Sequence, residues 1–366
     1  MLVLLGVHGY APGIAPSTGR RAPRAHGWRS LRACASADAS YIVRPPPSTP
    51  PRAIVHFLGG AFVGAAPQLA YARLLSELAA DGLVVVATPY QLSFDYLALC
   101  ERVLADFEPA HAALTEEYGA LPLVGVGHSC GALLHVLICS LFAGGGGVAS
   151  VPRAANALVS FNNKRAADAI PFFATLVAPV ASGVAASPLP AAVASARGRL
   201  DALADEPAAA AAADGAAATA TAAPAASALA AARQLFPLVE QLPELLREID
   251  DGRADFEPTP DETRRAAGAL YAARRTLAVR FDDDALDESL VLPTTLERAD
   301  LQLNTLRGTH LTPLTPAAAD PLGLGLPPPP LPAAADAEFS ALRRLLLRFV
   351  DDALAADADD ARCHPR

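Results

Sequence analysis

Residues 123–143 read LVGVGHSCGALLHVLICSLFA. The first four are apolar, the last dozen are apolar on nearly every side, and between them lies Gly127-His128-Ser129-Cys130-Gly131, a G-x-S-x-G match. An apolar strand running through a tight turn into a buried helix is the context this motif demands. The two glycines permit a strained turn that lifts the serine hydroxyl out of the sheet. Ser129 is therefore the candidate nucleophile. The competing structural reading is a tight turn in a nucleotide-binding sheet, with Ser129 only capping the helix. Cys130 is a weaker nucleophile candidate, because its side chain should turn back toward the helix while its backbone N–H faces the site.

Outward from this stretch, short apolar runs alternate with helix-length segments. AIVHFLGG (53–60), PQLAYARLLSELAADG (67–82), LVVVATPY (83–90), FDYLALCERVLADFEPAHAALTEEYG (94–119) and LPLVGVGHS (121–129) follow one another. Such alternation means βαβ units, and unbroken apolar strands such as LVVVAT indicate a parallel sheet covered by helices on both faces. Further strands are expected at NALVSF (156–161), TLAVRF (276–281) and DLQLNTL (300–306). Between the first two lies a cap region, ending in a helix that opens with a Thr259/Glu262 capping box and Pro260 at its first position.

Chain order selects the partners of Ser129. In a sheet of this kind the order is serine, acid, histidine, each beyond a strand's carboxyl end. Only His310 and His364 follow every candidate acid, and His310, in RGTHLTP just past DLQLNTL, is the base expected. The acid should follow TLAVRF, where Asp282, Asp283, Asp284 and Asp287 compete. Asp283, four residues before Asp287, is preferred to Asp284; the alternatives are an exposed acidic loop or a weak Ca²⁺ site. An oxyanion hole needs two backbone N–H groups aimed at the developing charge. Cys130 would supply one, and the loop His56-Phe57-Leu58-Gly59-Gly60-Ala61-Phe62 the other, with Gly60 first and Ala61 next. Ala61, Phe62, His128 and Asn162 are expected around the bound substrate, and His56 and His128 as packed or hydrogen-bonded supports. The Asn162–Lys164 segment and the Pro89-Tyr90 loop also lie at strand ends, where they are expected to shape the pocket, though no step of the mechanism requires them.

The strings VHFLGGAFVGAAPQLAY, VVATPYQLSFD, GVGHSCGALLH, ALVSFNNK, FEPTPDETRR and GTHLTPL resemble a family of plants, algae and cyanobacteria, a domain of unknown function within the α/β-hydrolase superfamily, sometimes labelled esterase-like. The likeness spans about residues 53–313 without the Ala-rich insert. It implies an α/β-hydrolase-like fold, a plastid home, and the superfamily's triad on Ser129, Asp283 and His310.

The remaining composition bounds the function. With 29 Lys+Arg against 38 Asp+Glu, the net charge of −9 provides no basic footprint for nucleic acid. Five scattered cysteines suggest neither a zinc site nor a disulfide framework. Residues 1–37 hold five Arg and no acid, which is transit-peptide composition and agrees with the plastid home that the resemblance implies, a mitochondrion being the lesser alternative. The uncharged run within 169–197 contains Pro171, Pro179, Pro188 and Pro190, which argue for a cap or lid over an apolar site rather than a membrane span. Peripheral membrane association stays open. The chain thus divides into a transit-like segment (1–40), the first half of an α/β core (41–165), a cap with an Ala-rich low-complexity insert (166–268), the second half of the core (269–312), a Pro/Ala linker (313–336), a closing amphipathic helix (337–356) and a tail (357–366).

Three readings follow. The first is a serine hydrolase of carboxylic esters, lipid acyl groups or thioesters, acting through an acyl-enzyme with no cofactor or metal, its lid over a lipid-like small molecule. The second is a catalytically inactive relative that binds an apolar ligand or a plastid partner. A dinucleotide-binding sheet is third and disfavoured, because GGAFVG lacks the G-x-G-x-x-G spacing and no acid ends the VVVATPY strand.

Overall fold

A computed structural model describes residues 40–143, 151–165, 168, 248, 255–314 and 333–363. The transit-like segment 1–39, the uncharged lid run and Ala-rich insert, most of the linker and the last three residues lie outside the described residues.

The elements run β1 (Tyr41–Val43), β2 (Ala53–Leu58), α1 (Pro67–Ala70), α2 (Ala72–Ala80), β3 (Leu83–Ala87), α3 (Tyr96–Tyr118), β4 (Leu123–His128), α4 (Cys130–Leu141), β5 (Ala155–Val159), α5 (Pro260–Leu270), β6 (Arg275–Asp283), α6 (Leu292–Thr295), β7 (Asp300–Thr309) and α7 (Ala333–Cys363). The strands form one sheet in the order β1-β3-β2-β4-β5-β6-β7. Only β1 is antiparallel, pairing with β3; the others are parallel. This is an α/β-hydrolase-like sheet, with β4 in the middle and the nucleophile candidate just past its end.

Alternation along each strand divides the core. On β2, Ala53, Val55 and Phe57 face the layer built by Leu74, Leu75 and Leu78 of α2 with Phe339, Leu342, Leu346 and Phe349 of α7. Ile54 faces the opposite layer, beside Phe107 and Leu114 of α3, where Leu58 meets Leu133 and Leu137 of α4. The four α7 side chains, spaced three and four apart, are all buried, and each contributes about 1.5–3 kcal/mol before its ordering entropy is set against it. The helix extends beyond the expected 337–356 at both ends.

Local signals account for the helix boundaries. Asp95 caps α3 by accepting from the Ala98 N–H at 2.9 Å, and Gly119 ends it at φ 80°. At α5 the Thr259/Glu262 capping box is formed, with Pro260 in the first turn. α4 is apolar all round because it packs into the sheet, and eleven of its twelve residues are buried. Among the described residues no helix is long and apolar enough to cross a membrane.

Candidate active site

The turn between β4 and α4 holds Ser129 at φ 56° and ψ −120°, a conformation costly for any residue with a side chain. The flanking glycines are required for contact rather than for torsion. A Cβ on Gly127 would lie 2.5 Å from the Gly131 carbonyl oxygen, and one on Gly131 would collide with the Leu58 carbonyl. The turn is anchored by the Ser129 N–H, which donates to the Val159 carbonyl at 2.9 Å.

His310 follows the last residue of β7, and its side chain is nearly buried. Its Nδ1 lies 2.9 and 3.1 Å from the two carboxylate oxygens of Asp284, and its Nε2 lies 3.1 Å from Ser129 Oγ. A carboxylate only accepts, so Nδ1 carries the proton, and Nε2 is left to accept from the serine hydroxyl. Burial pushes the Asp284 carboxyl up, but the hydrogen bond from His310 and that imidazole's charge outweigh it and hold the group below the usual aspartate value.

The carboxylate that meets His310 is thus that of Asp284, which corrects the preference for Asp283. β6 continues two residues past Phe281, and Asp283 is still in the ladder, paired with Thr309 across a register irregularity. Its side chain points to solvent, as does that of Asp282, whose carboxylate accepts from the Gly308 N–H at 3.0 Å. The turn into the site begins only at Asp284, whose carboxylate has no exposed surface and also accepts from the Leu286 N–H at 2.9 Å. Asp287 is turned elsewhere, accepting from Ser289 Oγ at 2.5 Å and pairing with Arg280 at 3.4 Å.

Gly60 is the second correction. Its N–H donates to Tyr71 Oη at 2.7 Å and is not free to meet a developing oxyanion. The same hydroxyl lies 2.8 Å from His128 Nδ1, and His128 Nε2 lies 3.1 Å from the His310 carbonyl. Since that carbonyl only accepts, Nε2–H donates, Nδ1 accepts, and the chain runs Gly60 N–H to Tyr71 O–H to His128 to the His310 backbone. Burial, and secondarily the nearby His310, keep His128 neutral by pushing its pKa well below the ordinary range. His128 is therefore a support behind the site, not a substrate contact. Phe62, also expected at the substrate, packs into the core with Leu58, Tyr90 and Leu92.

A narrow cleft opens over Ser129, lined by Ala61, Leu92, Tyr96, Cys130, Asn162, Lys164 and Phe256. Ala61, Cys130 and Asn162, named from the sequence, thus lie around Ser129. Burial pushes the Cys130 thiol up to about 11, against partial relief from Tyr90 and Tyr96, so it is protonated at neutral pH. His56 lies elsewhere, stacked on Phe107 at 4.0 Å and accepting from Arg153 at 2.9 Å. Tyr71 carries no signal in the sequence, and Tyr90 and Lys164 are expected there only to shape the pocket from the strand ends. Tyr90 Oη donates to the Gly59 carbonyl at 2.5 Å, and its ring lies where a Cβ on Gly64 would be, 2.7 Å away. The glycines of GGAFVG are a usable signal: they mark where buried aromatic rings approach the backbone. Among the described residues no cluster of His, Cys, Asp or Glu is arranged to hold a metal ion.

A family model described as "Protein of unknown function (DUF1350)" matches residues 38–196 and 223–325. No curated protein matches the chain in sequence. Among solved structures, a thermostable carboxyl esterase from Bacillus coagulans is 12% identical over 86% of this chain and 94% of its own, with a TM-score of 0.41. A hydrolase from Pseudomonas aeruginosa is 13% identical over 85% and 93%, with a TM-score of 0.43. A proline iminopeptidase from Mycobacterium smegmatis is 14% identical over 87% and 95%, also at 0.43.

Proposed function

The chain belongs to this family of proteins of unknown function, and from that premise we propose that it is a serine hydrolase cleaving carboxylic esters, lipid acyl groups or thioesters through an acyl-enzyme. The observation that carries the reading is the hydrogen-bonded series Ser129 Oγ, His310 imidazole and Asp284 carboxylate at 3.1 and 2.9 Å. In this scheme Ser129 Oγ attacks the acyl carbon as His310 Nε2 takes the hydroxyl proton, and Asp284 stabilises the imidazolium through Nδ1–H. The imidazolium then gives that proton to the departing alkoxide or thiolate. Water repeats the sequence on the acyl-enzyme, releasing the acid and restoring Ser129. The oxyanion is assigned to the backbone N–H groups of Cys130 and Ala61, both residues lining the cleft over Ser129.

Labelling with a fluorophosphonate tests the reading, using wild type beside Ser129→Ala and His310→Ala. Covalent labelling that needs both residues is expected. A folded wild type that stays unlabelled while control hydrolases react would leave a binding protein in its place. The acid-free, Arg-rich residues 1–37 support delivery to an organelle, for which we propose the plastid, and a fluorescent fusion of residues 1–40 retained in the cytosol would refute it.

A further inference from the structure

Seven residues line the cleft with Ser129, and Lys164 is the one charged side chain among them. Leu92, Tyr96, Phe256 and Ala61 form apolar walls, so among the described residues the cleft has a single cationic edge. An ammonium has three N–H donors. Lys164 Nζ uses one on the Ala285 carbonyl at 2.9 Å, a bond that holds it beside the Asp284 turn.

A loop so rich in acid would be expected to neutralise this lysine, but four of its carboxylates are engaged elsewhere, and Asp283, exposed on β6, makes no ion pair with it either. Asp284 holds His310, Asp287 meets Ser289 and Arg280, and Asp282 accepts from Gly308. Glu288 accepts from the Asn163 N–H at 2.7 Å. Among the described residues Lys164 has no ion-pair partner. Its backbone is fixed as well, because its own N–H donates to Asn162 Oδ1 at 3.0 Å, within the buried Asn162-Asn163 pair.

We propose that Lys164 is a specificity-determining residue that selects ester substrates bearing an anionic group, a carboxylate or phosphate, whose apolar part lies against Leu92, Tyr96 and Phe256. This rests on the serine hydrolase reading and names its substrate class. The ammonium supplies two donors and a positive charge at the mouth of the cleft, and charge-assisted hydrogen bonds are the stronger kind.

Two matched ester pairs test it: p-nitrophenyl hexanoate against the mono-p-nitrophenyl ester of adipate, with the charge on the acyl side, and phenyl hexanoate against 4-carboxyphenyl hexanoate, with the charge on the alcohol side. For each, kcat/KM is measured with wild type, Lys164→Met and Lys164→Arg, and binding is measured by calorimetry in the Ser129→Ala background. The expected result is an anionic-to-neutral preference of about tenfold or more in at least one pair, weakened by salt, lost in Lys164→Met and kept in Lys164→Arg. A lysine that only braces the Asp284 turn would lower both members of a pair together and leave their ratio intact, overturning the proposal. No preference in wild type would overturn it too. Preferential binding to Ser129→Ala that depends on Lys164, without turnover by wild type, would uphold the anion site and refute the hydrolase. Neither turnover nor preferential binding would refute both.

Discussion

Replacing Asp284 by asparagine separates it from its neighbour Asp283 and tests the geometry of the whole site. Asp284 Oδ2 stands 2.9 Å from His310 Nδ1, and its carboxylate is fully buried. In the proposed mechanism, that carboxylate faces a new positive charge when His310 takes the serine proton. A pair of charges about 4 Å apart at an effective dielectric constant of about 20 interacts by about 4 kcal/mol, which is about a thousandfold in rate. The amide also removes the constraint on the tautomer, since its NH₂ favours a proton on Nε2, facing Ser129. Together these place the loss at about 10³- to 10⁴-fold. Asp283 is exposed and sits in the β6–β7 ladder opposite Thr309, so Asp283→Asn should change the rate less than about threefold. The assay is the rate of fluorophosphonate labelling and of p-nitrophenyl ester hydrolysis, with thermal unfolding as a control on folding. The reasoning is refuted if Asp283→Asn is as damaging as Asp284→Asn, or if Asp284→Asn keeps more than about a tenth of the activity.

Four further outcomes follow from the same geometry. Ser129→Gly should be more stable than Ser129→Ala by about 1–2 kcal/mol, because only glycine adopts φ 56° and ψ −120° without strain; urea denaturation of the two inactive variants measures it, and a less stable glycine variant would remove the strain argument. Tyr71→Phe leaves the Gly60 N–H and His128 Nδ1 without their partner, so unfolding free energy should fall by about 1–3 kcal/mol, and equilibrium unfolding showing no loss would count against the chain of bonds. With its thiol at about 11, Cys130 should be almost entirely protonated at pH 8 and resist Ellman's reagent in the folded protein; rapid modification at that position would contradict the burial. The depressed Asp284 pKa makes its stabilising contribution full above the unfolded aspartate value of about 4 and lost as pH falls through the lower folded value. The stability gap between wild type and Asp284→Asn should therefore shrink on acidification, as followed by denaturation at stepped pH, and a gap that widened would invert the sign of the shift.

What could be read from the chain alone was whatever depends on local order. The period of apolar residues separates strand from helix, so β2 to β7 and the buried helix behind Ser129 were legible. The Thr259/Glu262 box was visible as a spacing of three residues. Gly127 and Gly131 marked the turn because no other residue fits against the Leu58 and Gly131 backbones. His310 emerged from chain order, since parallel strands bring their carboxyl-terminal loops together whatever the length of chain between them.

The tertiary structure decided what depends on how far an element runs and what it meets. Three consecutive aspartates look alike as a string; the choice of Asp284 came from the point where β6 stops pairing with β7, which one residue's difference in register reverses. Gly60 was open to an oxyanion role until Tyr71, eleven residues later, brought its hydroxyl to that N–H. β1 is not legible in the sequence, because one exposed and two half-buried residues carry little pattern and exist as a strand only through pairing with β3. The ammonium of Lys164 became part of the site for the same reason. Its charge is plain in the sequence, but whether a neighbouring acid neutralises it depends on the three-dimensional partners of four carboxylates, and folding directs all four elsewhere.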